Sequence, residues 1–67
     1  MSDSFNMTMR KFLKQVGVTS QQAIEEAMRE AGAENTAGKR FKAKIVLTVE
    51  ELDLTHVVEG KIDGKSE

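Results

Sequence analysis

Cysteine and proline are absent from the chain, as are tryptophan and tyrosine, and histidine occurs once. Without cysteine there is no disulfide, no thiolate metal site and no cysteine nucleophile. A chain of 67 residues buries only roughly 60% of the surface that its unfolded form exposes, and folds this small usually need a staple. With disulfides excluded, the remaining aids are well-formed local structure and oligomerisation. An excess of one charge is also missing: ten basic and eleven acidic side chains leave a formal net charge of -1, whereas dedicated nucleic-acid domains show a basic excess. No apolar run approaches the roughly 20 residues that span a bilayer. The N-terminal stretch MSDSFNMTMRKFLKQ has neither the apolar core nor the small-residue cleavage site of a signal peptide. The expectation is a cytoplasmic protein with no membrane segment.

What is present is clear periodicity. Phe5, Met9, Phe12, Leu13 and Val16 recur at i, i+4, i+7, i+8 and i+11, which confines them to one helical stripe about 100° wide. Asp3 or Ser4 can cap the start, and Gly17 stands where a left-handed C-cap belongs. This predicts a helix over residues 4–16. Thr19 followed by Gln22 matches a capping box, with Val18 and Ala23 as a small staple. Ala23, Ile24, Ala27, Met28 and Ala31 then form a second stripe before Gly32. A second helix over 20–31 follows, joined to the first by a tight corner, with Glu25 and Arg29 as an i, i+4 pair.

Residues 33–40, AENTAGKR, read as a polar connection. Beyond them the period changes to two. Phe41, Ala43, Ile45, Leu47 and Val49 alternate with Lys42, Lys44, Val46 and Thr48; Leu54, His56, Val58, Gly60 and Ile62 alternate with Thr55, Val57, Glu59 and Lys61. These are strands 41–49 and 54–62. A four-residue loop, Glu50 to Asp53, pairs Val49 with Leu54, Leu47 with His56, Ile45 with Val58, Ala43 with Gly60 and Phe41 with Ile62. The other face then pairs Thr48 with Thr55, Val46 with Val57 and Lys44 with Glu59. A slip of one residue would mix the faces, so the register is specified. The predicted architecture is a single α+β domain over residues 1–67: a two-helix hairpin packed on one face of an antiparallel β-hairpin (ααββ), with residues 63–67 a disordered tail.

Little in this chain can carry catalysis. His56 has no histidine or cysteine companion for a metal site, and Glu59 points to the opposite face. Serines at 2, 4, 20 and 66 lie at the termini or the helix corner, away from any base. Glu25–Glu26 and Glu50–Glu51 are sequence neighbours on the surface, where they lack the cleft that acid/base work requires. The glycines are isolated, with no phosphate-binding loop. The expectation is a protein that is not an enzyme and that takes no cofactor and no metal.

Residues 16–32 resemble the second helix of a helix-turn-helix. Their exposed side, however, presents Glu25, Glu26 and Glu30 against Arg29, which DNA phosphates repel, and the supporting third helix is missing. The segment KRFKAK is the better nucleic-acid candidate: Lys39, Arg40, Lys42 and Lys44 surround Phe41, a composition that can grip backbone and stack a base. In the predicted register Phe41 faces inward and Glu59 offsets Lys44, which argues for a solvated strand instead. The leading expectation is a non-enzymatic protein–protein interaction module. Its contact is Val46, Thr48, Thr55 and Val57 on the outer face, and its partner is another copy (a homodimer) or another protein. Open strand edges are a liability and isolated hairpins are marginal. Pairing two hairpins about a two-fold axis into a four-stranded sheet would relieve both.

The stretches FNMTMRKFLKQVGVTSQQAIEEAMREA and LDLTHVVEGKI resemble a family of small, stand-alone proteobacterial proteins of unknown function. The likeness covers most of the chain apart from residues 33–40. It implies a bacterial, cytoplasmic, self-contained domain, and it brings no catalytic residue or cofactor to any position here. His56 and Gly60 fall within the recognisable segment.

Overall fold

The computed structural model describes residues 2–64. The chain divides into two compact units, Met1–Ala31 and Gly32–Glu67. Its elements are α+β in order: a long helix and a short one, then two antiparallel strands.

The first unit is a single helix, α1, Ser2–Ala31. The corner expected at residues 17–19, between helices 4–16 and 20–31, does not form; the helix runs through it. The physical reason is a comparison of costs. A glycine inside a helix costs about 1 kcal/mol relative to alanine. Ending the helix there would leave up to four carbonyls, and as many amides of a new helix, without intrahelical partners. With no proline in the chain, nothing forces the break. Thr19 is therefore an interior residue: its Oγ1 donates to the Gln15 carbonyl at 2.8 Å instead of accepting from an amide as a cap. Thr8 does the same to Ser4 at 2.9 Å, a usual use of threonine inside helices. Glu25 accepts from Gln21 Nε2 at 3.1 Å, one turn towards the N-terminus from where the expected Arg29 pairing lies. Asp3 in the first turn and Arg29 in the last suit the helix dipole.

Gly32 stops α1. Its φ of +92° lies where residues with a Cβ rarely go. The connection 33–40, expected to be irregular, contains a one-turn helix, α2, Ala33–Thr36. The Ala37 amide donates to the Ala33 carbonyl at 2.8 Å, and the Lys39 amide to the Thr36 carbonyl at 3.1 Å.

The strands are β1, Arg40–Val49, and β2, Leu54–Asp63. Each is one residue longer than expected, because Arg40 pairs with Asp63. Every predicted cross-strand partner is found, from Phe41 with Ile62 to Val49 with Leu54. The loop is a single 3-10 turn, Glu50–Leu52, closed by Asp53 at φ +53°. Aspartate is among the few residues that tolerate this left-handed conformation, and its amide donates to the Glu50 carbonyl at 3.0 Å. Along β1, Phe41, Ala43, Leu47 and Val49 are half-buried while Lys42, Lys44, Val46 and Thr48 are exposed.

The expected tail is ordered at its start. Asp63 closes the sheet, and the Gly64 amide donates to the Lys39 carbonyl at 2.8 Å. Residues 65–67, the remainder of that expected tail, lie outside the described residues. Gly64 sits against the Thr36 carbonyl so closely that a Cβ would overlap it. Thr36 is correspondingly buried, 3% exposed, with its hydroxyl donating to the Ala33 carbonyl. Among the described residues no hydrophobic side chain is buried.

Two substitutions check these assignments. Gly17→Ala should stabilise α1 by about 0.5–1 kcal/mol, since nothing lies near the added methyl; thermal unfolding followed at 222 nm measures it. A lower melting temperature would mean that residue 17 is not helical. Gly64→Ala should destabilise the hairpin unit by about 1–3 kcal/mol through overpacking on Thr36. Gly60→Ala, with open space around it, is the matched control in urea titrations and should be neutral or mildly stabilising.

Candidate functional site

The hairpin's outer face is assembled rung by rung from the register. Starting at the loop, Thr48 stands opposite Thr55 and Val46 opposite Val57, so the four expected contact residues form two adjacent rungs on one face. The strand period of two puts them there, and the four-residue loop fixes which residues meet. Val46 is 53% exposed and Val57 45%. The sheet has two strands only, so each strand keeps one edge without a ladder partner within the sheet. The result is one apolar rung flanked by hydroxyls, beside strand edges of the kind that can template pairing with another strand.

Further from the loop the same face turns polar. Lys44 stands opposite Glu59, Lys42 opposite Lys61, and Arg40 opposite Asp63. Arg40 Nε donates to Asp63 Oδ1 at 3.0 Å, with both side chains well exposed, so this ion pair contributes little stability. Lys39 lies in the turn before β1, outside the ladder. The four cations named as nucleic-acid candidates are therefore not one free cluster. Arg40 is engaged by a carboxylate, Lys44 faces one, and Lys42 stands beside a like charge. The register also brings Lys61 from β2 opposite Lys42, a neighbour that the segment 39–44 by itself does not reveal. A shallow open depression lies here, lined by Lys42, Ala43, Lys44, Glu59, Gly60 and Lys61.

His56 stands opposite Leu47 on the other face of the sheet and is exposed. Among the described residues no group of three or more His, Asp or Glu side chains gathers as a metal would require. No helix among them is long and apolar enough to cross a membrane.

A family of unknown function, DUF6494, aligns with residues 1–65. The chain belongs to this family. No curated protein and no solved structure matches it. The DUF6494 match spans both the helical unit and the hairpin and includes residues 33–40, which lie outside the stretches that carry the resemblance in the sequence. Membership assigns no activity, so function has to be argued from the surfaces just described.

Proposed function

We propose that this DUF6494 chain is a non-enzymatic protein–protein interaction module that self-associates as a homodimer, with Val46, Thr48, Thr55 and Val57 at the contact. The observation that carries the reading is the exposed Val46–Val57 rung beside Thr48–Thr55 on a sheet with open edges. Oligomerisation is also one of the two stabilising aids left to a chain without cysteine, beside well-formed local structure. A bacterial cytoplasmic setting fits the resemblance of the sequence and a chain that needs no oxidising compartment. Nucleic acid ranks behind a protein partner because Arg40 and Lys44 each face a carboxylate.

Magnitudes decide how far this face can go. Covering the exposed halves of two valines in each of two copies contributes about 3 kcal/mol gross. A micromolar dimer requires about 8 kcal/mol net, after the loss of translational and rotational freedom. The hairpin alone is thus a modest contact that needs a companion.

Light scattering over a concentration series tests the reading. The wild type should reach a mass near twice the 7.4 kDa chain, and Val46→Lys should weaken association by about tenfold or more. A single-chain mass at every concentration, or a dimer indifferent to Val46→Lys, contradicts it.

A further inference from the structure

Because α1 is unbroken from Ser2 to Ala31, one line of residues runs through both apolar stripes, with Phe5 and Phe12 flanking it on one side and Ile24 and Met28 on the other. Met9, Leu13, Val16, Ser20, Ala23 and Ala27 alternate in steps of four and three, the spacing of a coiled-coil seam. The seam changes size along its length. Its first half is large, with Met9 40% and Leu13 51% exposed; its second half is serine and alanine. We infer that α1 pairs with α1 of a second copy, antiparallel, large end against small end.

The orientation follows from the side chains. Run antiparallel, the seam sets Met9 against Ala27, Leu13 against Ala23 and Val16 against Ser20, each layer one large and one small residue. The two-fold axis repeats all three layers, so the helix spacing stays uniform. Run parallel, each residue would meet itself, with methionine on methionine at one end and alanine on alanine at the other. That wedge splays the helices and leaves voids, and apolar interfaces do not tolerate voids well.

Charge points the same way. The first half of α1 carries Arg10, Lys11 and Lys14 against one carboxylate, Asp3; the second carries Glu25, Glu26 and Glu30 against one cation, Arg29. Antiparallel pairing brings the positive half beside the negative half, whereas parallel pairing stacks like on like. The helix dipoles also oppose favourably. The occupant of this helix face is therefore a second copy of the chain, since both the sizes and the charges of α1 complement α1 reversed.

The inference rests on the reading that the chain self-associates, and it supplies the companion contact that the hairpin needs. A closed dimer requires both contacts to share one two-fold axis, because separate axes would build a fibre.

Absence of cysteine makes the test clean. Met9→Cys, Ala27→Cys and Val18→Cys chains each carry one thiol and are equilibrated in a glutathione redox buffer, singly and mixed. Antiparallel pairing predicts that the Met9→Cys and Ala27→Cys mixture forms the mixed disulfide many-fold above the level of Val18→Cys, which lies on the opposite side of the helix. Met9→Cys alone should stay at that background, its two thiols about 27 Å apart at 1.5 Å per residue. Preferential self-crosslinking of Met9→Cys overturns the orientation, and no enrichment over Val18→Cys overturns the helix contact. Circular dichroism of each variant verifies that α1 is intact. The two readings fail separately. A dimer weakened by Val46→Lys without the mixed disulfide removes the helix contact alone. A mixed disulfide in a dimer indifferent to Val46→Lys removes the hairpin contact alone.

Discussion

Apolar surface that neither unit can cover by itself is the constraint on which this protein depends. A single helix has no interior, and a two-stranded sheet has two faces and no layer of its own. Phe5, Phe12 and Leu13 on α1, and Ile45, Val46 and Val58 on the hairpin, each leave about half their surface accessible. Such side chains are the main source of favourable folding free energy, and a chain of this length has little else to draw on. Local hydrogen-bond ladders define both elements completely, yet isolated helices and hairpins are marginal in water. On the proposed reading, association is part of folding.

The hairpin was legible in the sequence and the helical unit only in part. Alternation on both faces, a four-residue loop and opposite partners such as Lys44 and Glu59 all demand one register, so the strands could be placed residue by residue. The helix misled because its punctuation is local. Gly17, Thr19 and Gln22 imitate a stop followed by a start, and rules for caps read them as one. What outweighs them is the cost of two new helix ends, which exceeds that of one glycine inside a helix, and the line Val16, Ser20, Ala23 and Ala27 keeps one face through the segment. A true corner has no reason to preserve that face. The contact between Gly64 and Thr36 had no sequence signal at all, since it joins residues far apart through backbone atoms.

The candidate surface was legible to the same degree as the strands that carry it. Val46, Thr48, Thr55 and Val57 come together because register and face are both consequences of period two. The basic segment 39–44 reads differently once β2 is beside it: Asp63, Glu59 and Lys61 are supplied by the partner strand, and a composition count along one strand cannot include them. Membership in DUF6494 places the helix and hairpin within one family and leaves the chemistry of the surfaces as the guide to function.

The central claim is that this fold completes its apolar burial by association. The most direct measurement is the melting temperature, followed at 222 nm, across a thousand-fold range of protein concentration. If folding and association are coupled, mass action requires the melting temperature to rise steadily with concentration. A melting temperature that is independent of concentration, with a cooperative transition at the lowest one, would contradict the account and assign the stability to the single chain.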